Sequence, residues 1–330
     1  MKLGIIGSGV IVQEFLPRFM EMEGMDVVAI QGTPQTIEEV QKLCNENHVE
    51  HAVGTFEELA VLDIDTVYIA VPNFLHFMYC KQALEKGFNV IVEKPMTSNL
   101  KEGEYLKKLA DEKGCFLFEA VTTPYLENFK KIQEWLPRLG TIKLVQSQYS
   151  QYSRRYDAFR NGQILPAFDP NKSGGALMDL NLYNLHMVIG LFGEPESYSY
   201  HANIERNIDT SGILMMDYKD FRAICIAAKD CKGIATTIIQ GTNGSISTFY
   251  PPNVIGKVTL ALNDGTVEEF ESSTIETRLI PEFKAFIKAI NENDKEFCNQ
   301  MMAKSLSVSK VQTKARLAAG IIFPSDEKEI

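Results

Sequence analysis

The chain has 330 residues, 45% of them hydrophobic and 23% charged, which at about 150 residues per domain predicts roughly two globular domains and excludes wholesale disorder. Its net charge of −10, from 33 Lys and Arg against 43 Asp and Glu, repels polyanions, so neither nucleic acid nor an anionic membrane is expected as a partner. The uncharged stretch between Lys232 and Lys257 carries polar residues and the pair Pro251-Pro252, so no transmembrane helix is expected.

Residues 3–6 form an apolar run too short for a signal-peptide core. Six scattered cysteines without a CxxC pair predict reduced, mostly buried thiols in a cytoplasmic protein. Taken in order, residues 3–6, 27–30, 66–71, 89–92 and 115–118 are short and apolar, as strands buried on both faces should be. Helix-period stretches lie between them, with Ile37, Val40, Leu43 and Cys44 in one, and Leu100, Leu106, Leu109 and Ala110 in another. This alternation predicts a parallel sheet wrapped by helices over residues 1–120.

The pattern changes over residues 121–330. One helix is marked by Tyr125, Leu126, Phe129, Ile132 and Leu136, and residues 141–152 alternate as a half-exposed strand. Further strands are expected at 212–218, 222–228, 234–240, 245–250, 257–262 and 266–271, with hairpin turns at Asn243-Gly244 and Asn263-Asp264-Gly265. Helices near 279–292 and 300–318 close the chain, and the tail from 326 is expected to fray. The overall fold class is therefore α/β, with a parallel-sheet domain at 1–120 and an α+β domain with a large, mostly antiparallel open sheet at 121–330.

Three motifs carry chemistry. Gly7-Ser8-Gly9-Val10-Ile11-Val12 follows the first strand and opens a helix; Gly7 permits the tight turn and Gly9 lets the backbone approach a pyrophosphate at the helix N-terminus. The second strand ends in Gln31-Gly32-Thr33, with neither the acid that selects NAD nor the Arg that selects NADP, so either dinucleotide fits this reading. Glu93-Lys94-Pro95 ends a buried strand, where a lysine faces the ligand crevice of such a sheet. Finally, Asp179, Tyr183 and His186 fall at i, i+4 and i+7 of a helix following Gly174-Gly175, a row suited either to proton transfer or to a satisfied polar stripe. One His and one Asp do not make a metal site.

Together with Pro72-Asn73-Phe74-Leu75-His76 and the closing Ala318-Ala319-Gly320-Ile321, these motifs resemble the Gfo/Idh/MocA oxidoreductases over nearly the whole chain. The resemblance implies a nicotinamide-dependent enzyme acting on a small sugar-like, cyclic-polyol or dihydrodiol substrate, with the open sheet used for a homodimer or homotetramer. It implies catalytic roles for Lys94, Asp179 and Tyr183. It implies cofactor contacts at Gly7, Ser8, Gly9, Val10, Ile11, Gln31, Thr33, Ala70, Pro72, Asn73, His76, Glu93 and Lys94.

In this reading Lys94 polarises the substrate oxygen and lowers the pKa of Tyr183, which moves the proton. His186 is the fallback acid/base and a substrate contact, because its ordinary pKa is near neutrality. Of the cluster Arg154, Arg155, Arg160 and Lys172, the last is chosen as a substrate contact. Ile224, Ile226, Ile234, Ile238 and Ile246 supply the apolar residues of the open sheet. The alternative function is a dinucleotide-binding sensor without turnover, against which the set Lys94, Asp179 and Tyr183 argues.

Overall fold

A computed structural model describes residues 1–272 and 277–329. The first sheet contains β1 (Lys2–Ile6), β2 (Asp26–Gln31), β3 (His51–Val53), β4 (Thr66–Ile69), β5 (Asn89–Glu93) and β6 (Leu117–Ala120). All neighbours are parallel, in the order β3-β2-β1-β4-β5-β6. The helices α1 (Val10–Phe19), α2 (Ile37–Asn47), α3 (Phe56–Leu59), α4 (His76–Glu85) and α5 (Leu100–Lys113) make the crossovers. The strands are apolar on both sides because helices cover both faces: every residue of β4 and β6 is buried. The helix α5 starts where the Asn99 side chain accepts from the Glu102 amide and stops at Gly114, whose φ is +67°.

Reversal of strand order between β1 and β4 puts a crevice at the carboxyl ends of the strands. The chain then runs through α6 (Glu127–Trp135) to the second sheet, formed by β7 (Ile142–Ser150), β8 (Ser197–Glu205), β9 (Ile208–Asp217), β10 (Arg222–Ala228), β11 (Thr236–Gly241), β12 (Gly244–Thr248), β13 (Lys257–Leu262) and β14 (Val267–Glu271). Its order is β14-β13-β12-β11-β7-β10-β9-β8, antiparallel except for the central β7–β10 pair. Between β7 and β8 come α7 (Arg154–Arg160), α8 (Ala176–Asp179) and α9 (Asn181–Phe192), and α9 packs on β7 and β10. The expected fold class is the one observed.

Several local expectations differ. The strand β3 has three residues and none is buried, and β8 buries only Tyr200, so neither shows the periodicity that reveals a strand. Ile246 points into the core, whereas Ile224, Ile226 and Ile238 lie on the opposite, open face. Ile234 precedes β11 and is exposed. The tail is anchored rather than frayed at Asp326, whose carboxylate takes two hydrogen bonds from buried Arg316 at 2.7 and 2.8 Å.

The division at 120/121 also needs amendment. The two closing helices are α10 (Ile280–Asn291) and α11 (Lys295–Ala318). Phe283 and Phe286 of α10 are buried in the first sheet's core, with ring centroids 4.3 Å from Phe19 and 4.7 Å from Phe118. The chain thus returns to its first domain, and α11 lies between α5 and β6 on one side and α9 and β8 on the other. No helix among the described residues is long and apolar enough to cross a membrane. Among the cysteines, Cys44, Cys80, Cys115, Cys225 and Cys298 are buried and Cys231 is exposed, all unbonded.

Candidate active site

The glycine loop lies at the carboxyl end of β1. Gly7 has φ +108°, and a Cβ there would collide with the Ala70 carbonyl oxygen, so the turn admits only glycine. Gly9 caps α1 with no side-chain hydrogen bond, and a Cβ on it would meet open space. The first turn of α1 carries no acid. Unsatisfied amides facing open space fit a dinucleotide's diphosphate. In this loop Ser8 and Ile11 are half-buried and Val10 is exposed, while Val12 is buried in the core beneath.

The end of β2 serves the loop instead of facing it. The Gln31 carbonyl accepts from the Gly7 amide at 2.9 Å, and the Gln31 side chain is buried with its Oε1 lacking a hydrogen-bond partner among the described residues. Thr33 is exposed and its amide donates to Thr36 Oγ1 at 2.9 Å.

His76 sits at the start of α4. Its ring is buried, with Nδ1 2.8 Å from the Pro95 carbonyl and Nε2 2.9 Å from the Val71 carbonyl. It ties the loop after β4 to the loop after β5, behind the cleft. No nitrogen is left to reach a cofactor.

In front of these loops is a cavity of about 330 Å³, lined by Ile11, Ala70, Asn73, Glu93, Lys94 and Tyr183, together with Thr122, Asn253, Arg278 and Glu282. Glu93 accepts from the Tyr68 hydroxyl at 2.6 Å, and burial raises its pKa. Lys94 Nζ donates to Asp179 Oδ1 at 3.1 Å and stands 5.0 Å from the centre of the Tyr183 ring. Asp179 is placed by Gly174-Gly175: Gly175 has φ +105°, and a Cβ there would collide with Asp209 Oδ1. Asp209 Oδ2 in turn accepts from the Leu177 amide at 2.6 Å and from the Tyr200 hydroxyl at 2.6 Å, fixing α8.

The expected Asp179, Tyr183 and His186 row begins in the cleft and runs inward. Leu180 interrupts the helix between α8 and α9. Asp179 and Tyr183 stay beside Lys94. His186, one turn deeper, is buried with Nε2 3.3 Å from Glu119 Oε2. Glu119 also accepts from the Met96 amide at 2.9 Å, so His186 braces the loop that carries Lys94. His186 lines neither this cavity nor the one that adjoins it, one helical turn of about 5 Å having carried it past Tyr183.

One residue escaped notice in the sequence. Lys229, just after β10, is buried, and its Nζ donates to Asp179 Oδ2 at 2.8 Å and to the Ala167 carbonyl at 2.9 Å. The Asp179 carboxylate therefore joins two ammonium groups. Burial by itself would raise its pKa, but Lys229 and Lys94 outweigh burial and hold it well below the usual carboxylate range. For Lys94, burial lowers the pKa, but the pull of neighbouring anionic groups, the Asp179 carboxylate that it contacts among them, reverses that and raises it.

Tyr183 does not behave as expected. Burial drives its phenol up by more than Lys94 brings it down, so it is protonated at neutral pH. The arrangement offers one fixed cation, one neutral O–H group and one carboxylate at a single point of the cleft.

A second cavity, of about 340 Å³, adjoins the first through Asn73 and Asp179 and is lined by Pro72, Arg155, Lys172 and Lys229. Asn73 Nδ2 donates to the Ser173 carbonyl at 3.1 Å, bridging the two sheets' domains at this point.

Comparisons with known proteins agree with this geometry. Residues 1–121 match the oxidoreductase family with an NAD-binding Rossmann fold, and residues 129–247 match the Gfo/Idh/MocA C-terminal domain. The scyllo-inositol 2-dehydrogenase (NADP+) of Bacillus subtilis is 31% identical over 99% of both chains. The trans-1,2-dihydrobenzene-1,2-diol dehydrogenase of Mus musculus is 22% identical over 99% of both. A 3-ketoreductase from Actinomadura kijaniata, solved with NADP and TDP-benzene, superposes with a TM-score of 0.83 at 19% identity, covering 96% of this chain and 97% of its own. The chain is a member of the Gfo/Idh/MocA family of NAD(P)-dependent oxidoreductases.

Proposed function

We propose that the chain interconverts a CH–OH group and a ketone on a sugar-like, cyclic-polyol or dihydrodiol substrate, with Lys94, Tyr183 and Asp179 as its catalytic residues. The observation that carries this reading is the meeting of Lys94 and Tyr183, from opposite sides of the cleft, on the cavity at the carboxyl ends of the parallel strands. The bound nicotinamide supplies or accepts the hydride. Gly7, Ser8, Gly9, Val10 and Ile11 are assigned to the diphosphate, Thr33 to the ribose end, and Ala70, Pro72, Asn73, Glu93 and Lys94 to the nicotinamide end. Residues 1–120 bind cofactor, and 121–330 bind substrate and associate with copies of the chain, apart from the returning α10.

Lys94 donates to the substrate oxygen and stabilises its developing negative charge. Tyr183, neutral at physiological pH, gives its proton to that oxygen during ketone reduction and takes it back during alcohol oxidation. Asp179 keeps Lys94 charged and aimed. Lys172 is assigned to substrate. The relatives' inositol and dihydrodiol substrates set the first compounds to test. Absorbance of the reduced nicotinamide, followed with both cofactors over polyols, sugars and dihydrodiols, tests the reading; cofactor binding without turnover of any of them would refute it.

Self-association rests on the open face of the second sheet, where Leu144, Ile213 and Met215 are 54%, 41% and 50% exposed beside Ile224, Ile226 and Ile238. We assign a homodimer or homotetramer to this face, and a 37.1 kDa particle in sedimentation at micromolar concentration would overturn it. Unbonded, mostly buried cysteines support a cytoplasmic site of action.

A further inference from the structure

The second cavity and its neighbour carry a charge opposite to that of the whole molecule. Together they are lined by Arg154, Arg155, Lys172 and Lys229, and Asp179 is the one acid lining either of them among the described residues. This occurs in a chain of net charge −10.

Asp179 is already engaged by two ammonium groups, Lys94 at 3.1 Å and Lys229 at 2.8 Å. The Lys229 side chain is 3% exposed, so water contributes little to its solvation. One carboxylate neutralises one of the two, and an uncompensated buried charge is costly unless a ligand supplies the counter-charge. Nearer the mouth, Lys172 Nζ lies 3.8 Å from the centre of the Phe74 ring, which holds it over the cavity. Neither Arg155 nor Lys172 has an ion pair with a described residue.

We propose that the substrate carries a compact anionic group, a carboxylate or phosphate, seated among Arg155, Lys172 and Lys229 while its reacting carbon faces Lys94 and Tyr183. This deepens the proposed function and rests on it for the position of the reacting carbon. The argument is one of charge complementarity: a guanidinium offers a planar fork matched to two anionic oxygens, and the ammonium groups add charge from the cavity wall. A neutral polyol would leave Arg155 and Lys172 without a counter-charge and Asp179 shared between two ammonium groups.

The test uses matched pairs on the reduced-cofactor-loaded protein: D-glucuronate against D-glucose, and myo-inositol 1-phosphate against myo-inositol, by titration calorimetry at low ionic strength. In at least one pair the anionic member is expected to bind about tenfold more tightly, the scale of one charged hydrogen bond. That preference should shrink as salt is added. The variants Arg155→Gln and Lys172→Met should each reduce the ratio within the pair severalfold, with the larger effect on KM than on kcat wherever turnover is seen.

The glucuronate and inositol phosphate arms separate carboxylate from phosphate. Equal or weaker binding of both anionic members overturns the inference even if a neutral polyol is oxidised, which leaves the proposed function standing. Selective anion binding lost in both variants, with no turnover of any compound, sustains the inference and counts against the proposed function.

Discussion

Lys94 and Lys229 reach the two oxygens of one carboxylate, Asp179, from opposite sheets: Lys94 stands at the end of parallel β5 and Lys229 at the end of β10. The ammonium group proposed to polarise the substrate is thereby fixed relative to both halves of the molecule. A small rotation of one domain on the other would separate it from its counter-ion.

The first expectation follows for Lys94. Lys94→Met keeps a side chain of similar length and removes the donor. Turnover should fall about a hundredfold or more, the scale of losing one preorganised donor to a developing oxyanion. Cofactor affinity, read by quenching of intrinsic fluorescence, should change much less, because the diphosphate is assigned to the glycine loop. Near-normal turnover in this variant would overturn the mechanism.

Tyr183 and His186 can be separated by pH. Burial holds the Tyr183 phenol in its protonated form, so ketone reduction should be nearly independent of pH from 6 to 9. Alcohol oxidation should accelerate with pH over the same range, as more phenolate becomes available to take the proton. In Tyr183→Phe both rates should fall at least a hundredfold and the slope of the oxidation profile should vanish. His186→Asn should instead reduce stability by about 1–3 kcal/mol, because it removes the imidazole 3.3 Å from the buried Glu119 carboxylate, while retaining the shape of the profile. The reverse pattern would move the proton-transfer role to His186.

The parts of this site that could be read in the sequence are those specified locally. Gly7-Ser8-Gly9 and Glu93-Lys94-Pro95 each sit at the end of one apolar strand, and the carboxyl end of a parallel strand has one destination, the crevice. Lys229 gave no such signal. It is a single lysine after an ordinary strand, and it meets Asp179 because β10 is inserted between β7 and β9, a pairing of distant segments. Glu282 is similar, reaching the cavity beside Lys94 through the return of α10 to the first sheet. His186 shows the converse: its spacing on the helix was legible, but the depth at which the helix enters the protein was not.

Asp179→Asn should cost stability because it leaves two poorly solvated ammonium groups without their carboxylate. About 3 kcal/mol at pH 7 is the scale for breaking a buried pair, reduced by the 33% exposure of the Asp179 side chain. The folded-state pKa of Asp179 is depressed by Lys229 and Lys94, outweighing burial. Its contribution is therefore present above the unfolded carboxyl pKa of about 3.9 and is lost as pH falls toward the folded value. Urea unfolding at pH 7, 4 and 2.5 should find the gap between wild type and variant narrowing below pH 4. A gap that stays constant, or is absent at pH 7, would show that the ion pairs do not stabilise the fold.

Glu282 should have the opposite dependence. It is buried in the first turn of α10, lines the cavity beside Lys94, and its Oε2 has no hydrogen-bond partner among the described residues. Burial, reinforced by Glu93, raises its pKa well above the usual value despite Arg278. The folded state therefore keeps the proton after the unfolded state has released it, and the unfolded state binds fewer protons once pH exceeds about 4.3. Stability consequently falls as pH rises from there toward the folded pKa. Glu282→Gln is neutral at every pH and escapes this loss. Its stability relative to wild type should rise steadily between pH 4 and pH 8, read as a growing difference in urea midpoint with unchanged slope. A parallel pair of pH profiles would mean that Glu282 ionises in the folded protein as freely as it does in water, and that the cavity wall carries a second negative charge facing the cofactor.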